Sequence, residues 1–118
     1  MKVILIDIDT LRADHLSCYG YRYPTSPHID RLAEQGTLFE FFFAPNIPTQ
    51  PAHTTIYSGQ HAVTHGIAAH SSDIMHLPAG TPWLTSLLKR AGVLTAAVDN
   101  LDDQKPWFSP GYAEYYNP

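Results

Sequence analysis

Residues 2–9 read KVILIDID, and this stretch decides the fold. Residues 3–6 form a continuous apolar run, which is typical of a strand covered on both faces in a parallel sheet. Asp7 and Asp9 stand at the carboxyl end of this run, the edge at which open α/β sheets place their ligands. We therefore predict a strand at 2–8 with a polar site at its end.

Prolines and glycines mark where the elements after this strand begin and end. Ser26–Pro27 and Thr81–Pro82 each place a capping residue before a proline that suits the first helical position. The predicted elements, in chain order, are a strand at 2–8, a helix at 27–35 ended by Gly36, a strand at 37–43, a helix at 51–58 ended by Gly59, a helix from Pro82 to Gly92 and a strand at 93–98. Residues 60–80 and 101–118 are interpreted mostly as loop. This order predicts an α/β fold with a mostly parallel sheet and flanking helices.

Composition excludes several classes of protein. The 118 residues include 7 Lys+Arg and 11 Asp+Glu, a formal net charge of -4. The sequence therefore has no concentration of positive charge of the kind that binds nucleic acid. The single cysteine, Cys18, excludes an internal disulfide framework and is expected to be a small packed residue. No apolar run matches a signal-peptide core or a membrane span, so we expect no membrane partner and a cytoplasmic location. No Gly-x-Gly-x-x-Gly follows the first strand, which argues against a dinucleotide-binding domain.

Three loops are predicted to meet at the carboxyl edge of the sheet, and they hold Asp9, Thr49 and Asn100. Carboxylate oxygens from Asp9, with Asp7, suit a divalent cation, and a metal-bound Thr49 hydroxyl would ionise more readily and become a nucleophile. Pro51 can open a helix, which places Thr49 just before a helix N-terminus. The helix dipole at that position favours an anionic phosphoryl or sulfuryl group.

Spacing alone leaves plainer interpretations open. An aspartate at a strand end is more often a turn or capping residue than a metal ligand, and Thr49 is more often an ordinary loop residue. His61 and His65 lie four residues apart and could chelate a metal on a helix. A solvated or hydrogen-bonding role is favoured for both histidines, because the pattern around them does not predict a helix.

Four blocks of the sequence resemble the start of the sulfatase family in the alkaline phosphatase superfamily. The blocks are VILIDIDTLRADHLSCYGY at 3–21, TSPHIDRLAEQGTLFEFFF at 25–43, PTQPAHTTIYSGQHAVTHGI at 48–67 and LTSLLKRAGVLTAAVDN at 84–100. Their order is also similar to that of the family. The resemblance implies an alkaline-phosphatase-like α/β catalytic domain, of which residues 1–118 would form about the first third.

The resemblance also implies roles for individual residues. Asp9 matches a metal-binding aspartate, whereas Asp7 stands where the family usually has an apolar residue. Thr49 occupies the nucleophile position, at which sulfatases have a Cys or Ser converted to formylglycine; Thr cannot be converted, so no formylglycine is expected. Related phosphodiesterases and nucleotide pyrophosphatases use an unmodified Thr in a similar setting. His53 replaces a family Arg and Asn100 stands near a sulfate-contacting Lys, and both departures favour phosphate or phosphonate esters.

The function implied by the resemblance is metal-dependent hydrolysis of small anionic sulfate, phosphate or phosphonate esters, with Thr49 as the nucleophile. The expected cofactor is Ca, Mn, Mg or Zn. The alternative is a catalytically inactive sulfatase-like module that binds an anion or a partner protein. Because the remaining metal ligands of the family come from a later segment, we expect the 118 residues alone to bind metal weakly and to be inactive. The expected partner is the missing C-terminal part of the same domain, with a homo-oligomer as the alternative.

Overall fold

The computed structural model describes residues 2–70 and 75–118 of the chain. The chain divides into two compact units, Met1–Phe43 and Ala44–Pro118, which we call unit 1 and unit 2. The buried hydrophobic side chains among the described residues all belong to unit 2. Among the helices described in either unit, none is long and apolar enough to cross a membrane.

Over its described residues, 2–43, unit 1 contains one α-helix, α1 (Pro27–Gln35), preceded by two short 3₁₀ turns at Ala13–His15 and Ser17–Tyr19. The predicted bounds of α1 are confirmed, with Ser26 at the N-cap and Gly36 directly after the last helical residue. Proline at the first position fits this start, because its fixed φ suits a helix and its missing N–H would have no partner there.

Asp30 ties α1 to the preceding 3₁₀ turn. Its carboxylate accepts hydrogen bonds from the Ser26 hydroxyl at 2.8 Å and from the backbone N–H of Cys18 at 2.9 Å. The Ser26 oxygen in turn accepts from the backbone N–H of Ser17 at 2.9 Å. Desolvation by itself raises the pKa of Asp30, but the hydrogen bonds outweigh it and keep the pKa below its ordinary value. Cys18 is half-buried beside this group, as expected for a small packed residue.

The strands predicted at 2–8 and 37–43 are wrong: neither segment is part of a sheet in the described residues. Both segments are instead exposed, with Ile4 at 83% and Phe42 at 84% of full exposure. The apolar pattern predicted a strand covered on both faces, but such a strand exists only when neighbouring strands pair with it and helices cover it. The described part of unit 1 supplies neither.

Unit 2 contains four α-helices and two strands among its described residues. In chain order they are α2 (Thr49–Ser58), α3 (Ala62–His65), α4 (Leu84–Arg90), β1 (Ala96–Val98), α5 (Leu101–Gln104) and β2 (Glu114–Tyr116). β1 and β2 pair in parallel, with Ala97 opposite Tyr115. The predicted α/β class, with parallel pairing and flanking helices, is therefore confirmed.

Several predicted bounds in unit 2 differ from the structure. The helix predicted at 51–58 begins at Thr49, and the strand predicted at 93–98 is limited to its last three residues, β1. The predicted loop at 60–80 contains the single-turn helix α3, and its residues 71–74 lie outside the described part of the chain. The tail at 101–118, predicted as loop, contains α5 and β2, which are too short to produce a periodic pattern.

The core of unit 2 is mainly aromatic. Phe108 is 1% exposed and packs edge-on against Trp83 with ring centroids 5.9 Å apart, while Trp83 stacks on Tyr57 at 5.4 Å. Leu101 completes the buried cluster, and Leu77 and Trp107 pack around it. Because Tyr57 belongs to α2 and Trp83 directly precedes α4, this cluster fixes the helix that carries Thr49 within unit 2.

Candidate active site

Thr49 is the first residue of α2 and is half-buried. Pro48 is the N-cap residue, and its carbonyl oxygen accepts from the backbone N–H of Ala52 at 3.2 Å, which closes the first turn. Thr49 thus lies inside the first turn, rather than just before it as predicted from Pro51. The N-terminus of a helix carries the positive end of the dipole, and this position favours a nearby negative charge.

His53 lies one turn after Thr49 on the same helix and is 7% exposed. Its Nδ1 is 2.9 Å from the carbonyl oxygen of Thr49. Since a carbonyl oxygen only accepts hydrogen bonds, Nδ1 carries the proton and donates. The ring also meets Phe108 edge-on, with centroids 6.5 Å apart. His53 therefore holds the backbone of Thr49 and is itself held by the core.

A row of polar side chains lies beside the same helix, and the sequence did not predict it. The side-chain N–H of Asn46 donates to Thr55 Oγ1 at 2.7 Å, and Thr55 Oγ1 lies 3.1 Å from Nε2 of His65. Nδ1 of His65 accepts from the backbone N–H of Ile67 at 3.0 Å. The hydrogen-bonding role favoured for His65 is confirmed, whereas His61 is exposed at the N-cap of α3. The four-residue spacing of His61 and His65 was the only feature of the sequence that pointed to this row.

Asp7 and Asp9 lie on the exposed segment of unit 1. Asp9 Oδ1 accepts from the backbone N–H of Thr10 at 3.0 Å, and Thr10 has a positive φ of 60°. The structure therefore places Asp9 in a turn after an extended segment, not at the end of a paired strand. Thr49 belongs to unit 2, so the predicted joint site of Asp9 and Thr49 stays a prediction.

Asn100 is exposed and follows β1 as the N-cap residue of α5. Its predicted place just beyond the carboxyl end of a parallel strand is thus correct. The neighbouring Asp99 is engaged locally: its Oδ1 accepts from the backbone N–H of Leu101 at 2.9 Å and from the Tyr115 hydroxyl. Burial and this bond to Asp99 raise the pKa of Tyr115, so the phenol stays a neutral donor.

The described residues include oxygen donors of the kind that a divalent cation binds. Carboxylate oxygens of Asp7 and Asp9 are donors that Ca, Mg or Mn accept. Across residues 2–70 and 75–118, however, no group of three or more His, Cys, Asp or Glu side chains converges on one point. The described residues therefore offer part of a donor set and not a complete site.

Similarity to known proteins covers both units. The family model described as Sulfatase matches residues 2–115. The chain belongs to the sulfatase family. The matched range includes all five candidate residues proposed from the sequence: Asp7, Asp9, Thr49, His53 and Asn100.

Several curated relatives are sulfatases by name. N-acetylgalactosamine-6-O-sulfatase of Bacteroides thetaiotaomicron is 32% identical over 100 residues, which cover 82% of this chain and 19% of the relative. Steryl-sulfatase of Rattus norvegicus is 32% identical over 103 residues, which cover 80% of this chain and 18% of the relative. Human N-acetylgalactosamine-6-sulfatase is 25% identical over 129 residues, which cover 98% of this chain and 25% of the relative. This sulfatase-family chain thus spans between 18% and 25% of the length of these relatives. No solved structure matches it significantly.

Proposed function

We propose that the protein is a hydrolase of small anionic esters in which Thr49 is the nucleophile. The observation that carries the proposal is the position of Thr49 at the first residue of α2, with its carbonyl held by His53 at 2.9 Å. Membership of the sulfatase family supports ester hydrolysis as the reaction class. The substrate we propose is a phosphate, phosphonate or sulfate ester.

The proposed chemistry has two steps. The Thr49 oxygen attacks phosphorus or sulfur, a bond forms to the threonine oxygen, the bond to the leaving oxygen breaks, and the alcohol departs with a proton. Water then attacks the same centre, releases the acid and restores the threonine hydroxyl. The positive end of α2 favours the charge that develops on the non-bridging oxygens.

We also propose that the active protein uses a divalent cation, Ca, Mn, Mg or Zn, and no formylglycine. The cation, when bound, would neutralise charge on the ester oxygens and make the threonine hydroxyl more acidic. Asp9 and Asp7 have the oxygen donors to contribute to such a site, with Thr49 as a third candidate ligand. Further ligands would have to come from sequence outside the described residues, since these contain no complete set.

The exposed apolar segments of unit 1 support a proposal about partners. Residues 3–6 and 41–43 expose large hydrophobic side chains, each more than half exposed. Such a concentration of apolar surface is typical of an interface or of a core that other chain elements cover. We propose that further sequence of the same domain packs on these segments, with self-association as the alternative.

Ile4→Glu should then destabilise the protein as its gene encodes it, because it places a charge in the proposed contact. Urea unfolding measures the effect, and an unchanged midpoint would contradict this proposal.

The experiment for the catalytic proposal uses the protein as its gene encodes it and a panel of nitrophenyl sulfate, phosphodiester and phosphonate esters with added Mn²⁺, Ca²⁺ or Zn²⁺. We expect metal-dependent turnover of at least one ester. Thr49→Ala should lower turnover by about a thousandfold or more, as expected for loss of a covalent nucleophile, while Thr49→Ser retains part of it. Turnover of Thr49→Ala within tenfold of the natural protein would remove Thr49 from the mechanism.

The second candidate function is an inactive module that binds an anion. The resemblance supports it, because His53 and Asn100 stand where it implies cationic residues. The same panel separates the two functions. An absence of turnover for every ester and metal, together with binding of vanadate or sulfate in calorimetry, would favour the inactive module. Metal-dependent turnover would exclude it.

A further inference from the structure

The row formed by Asn46, Thr55 and His65 runs alongside α2 and ends in a buried histidine. His65 is 0% exposed and closes α3, and the backbone N–H of Ile67 donates to its Nδ1 at 3.0 Å. Its other ring nitrogen, Nε2, lies 3.1 Å from Thr55 Oγ1, to which Asn46 donates at 2.7 Å. All of these residues belong to unit 2.

The proton positions in this row follow from the donors. Because the backbone N–H of Ile67 donates to Nδ1, that nitrogen carries no proton, and the neutral ring has its proton on Nε2. Nε2 therefore donates to Thr55 Oγ1, which also accepts from Asn46 and so uses both of its lone pairs as acceptors. Burial lowers the pKa of His65 and thus favours this neutral form.

The row connects the segment before Thr49 to the helix that begins with Thr49. Asn46 lies in the loop that leads into α2, and Thr55 lies in the second half of α2. Their hydrogen bond holds the loop against the helix that it enters. His53 restrains the Thr49 carbonyl from the same helix at 2.9 Å. The chain on both sides of Thr49 is therefore anchored to α2.

We infer that His65 is a positioning residue for Thr49: it fixes the hydroxyl of Thr55, which holds Asn46 and with it the loop that presents Thr49. This inference rests on the proposed role of Thr49 as the nucleophile. A nucleophile that attacks in line must be held to within fractions of an ångström, so loss of a restraint on its loop lowers turnover without removing any reacting group.

The geometry also excludes two other roles for His65. A metal ligand needs an unprotonated nitrogen with its lone pair available, but Nδ1 accepts from Ile67 and Nε2 faces Thr55. A general acid or base must reach the substrate, but His65 is completely buried. A positioning role needs only the hydrogen bonds that the structure contains: Nδ1 accepts from Ile67, and Nε2 donates to Thr55.

The first test removes the middle of the row and is independent of activity. In the protein as its gene encodes it, Thr55→Val deletes the hydroxyl at nearly constant volume, and Thr55→Ser keeps it. We expect hydrogen–deuterium exchange of the backbone amides of residues 46, 47, 49 and 50 to become about tenfold faster in Thr55→Val and to stay near the natural rate in Thr55→Ser. Amides of α4 should exchange at the natural rate in both. Unchanged exchange at 46–50 in Thr55→Val would overturn the inference.

The second test distinguishes the contact of His65 with Thr55, which the inference requires, from its contact with the backbone N–H of Ile67, which only closes a local turn. His65→Asn keeps an acceptor for the N–H of Ile67 but is too short to reach Thr55. His65→Gln can place a side-chain N–H near Thr55 but loses the acceptor for Ile67. Positioning predicts faster exchange at 46–50 in His65→Asn and partial rescue in His65→Gln. The opposite order would overturn the inference, and the Thr55 pair decides the question if either His65 variant fails to fold.

Kinetics complete the experiment and distinguish the two proposals. With a nitrophenyl ester, Thr55→Val should lower kcat about tenfold and change KM less than about twofold, and Thr55→Ser should restore kcat. If Thr49→Ala abolishes turnover but Thr55→Val leaves kcat unchanged, the positioning inference fails and the proposed function survives. If Thr49→Ala leaves turnover intact, the proposed function fails and, with it, the inferred role of His65 toward a nucleophile.

Discussion

His53 donates from Nδ1 to the carbonyl oxygen of Thr49, 2.9 Å away and one helical turn earlier. This bond lies in the first turn of α2. Without it, the Thr49 carbonyl oxygen would accept hydrogen bonds only from the helix backbone. Because His53 is also packed edge-on against Phe108, it connects the core of unit 2 to the residue that we propose as the nucleophile.

We therefore predict that His53→Ala lowers both stability and turnover. The variant loses a hydrogen bond and a buried ring, which should cost about 1–3 kcal/mol in the free energy of unfolding and lower kcat about tenfold to a hundredfold. His53→Asn is the matched control, because an asparagine side-chain N–H can occupy the position of Nδ1 and retain part of kcat. Urea unfolding and steady-state kinetics measure the two effects. Natural kcat in His53→Ala would contradict the prediction.

Gly111 gives a prediction about the packing of unit 2. Its φ is +93°, and a Cβ there would lie 2.4 Å from the backbone nitrogen of Ser86 in α4. Gly111→Ala should therefore lower the free energy of unfolding by at least about 3 kcal/mol, because backbone has to move. Gly80→Ala is the matched control: its φ is +84°, but no atom lies within 4 Å of the added Cβ. It should cost about 1–2 kcal/mol from the left-handed backbone alone.

Thermal or urea unfolding of the two glycine variants measures this difference. Equal losses of unfolding free energy in Gly111→Ala and Gly80→Ala would mean that the close approach of Gly111 to α4 does not add to the cost of the substitution. The approach is independently supported by the Thr85 hydroxyl, which donates to the carbonyl oxygen of Pro110 at 2.6 Å.

Elements that depend on local chemistry could be predicted from the sequence. Pro27 and Gly36 bound α1 in the structure as they do in the pattern, because the fixed φ of proline and the low helix propensity of glycine act within a few residues. Gly59 ends α2 with a φ of +68°, a conformation that glycine adopts without steric cost. The helix start at Thr49 differs by only two residues from the predicted start at Pro51.

Elements that depend on distant partners could not be predicted reliably. The apolar run at 3–6 has the composition of a buried strand, but composition does not supply the strands that would pair with it. β2 is formed by three residues whose partner, β1, lies in a different part of the chain, and so short a segment shows no alternation. The same limit applies to the row of Asn46, Thr55 and His65, which only the folded chain brings together.

The Thr54 hydroxyl gives a further prediction. Thr54 is completely buried, and its Oγ1 accepts from Nε1 of Trp107 at 3.2 Å. Thr54→Val would leave the indole N–H without this acceptor and should lower the free energy of unfolding by about 1–3 kcal/mol. Thr54→Ser keeps the oxygen and should lose less. A larger loss in the serine variant than in the valine variant, measured by urea unfolding, would show that the methyl group matters more than the hydrogen bond.

His65 makes the stability of the protein depend on pH in a definable direction. Burial lowers its pKa from the ordinary 6.5, so below that pH the unfolded chain binds a proton that the folded chain does not. Acid therefore favours unfolding: this contribution is complete above pH 6.5 and is lost as the pH falls through the lowered pKa of the folded state. His65→Asn has no such group, so its free energy of unfolding should fall less steeply between about pH 6.5 and pH 5. Urea unfolding at each pH measures the slope, and equal slopes for the two proteins would show that His65 is not held neutral in the folded state.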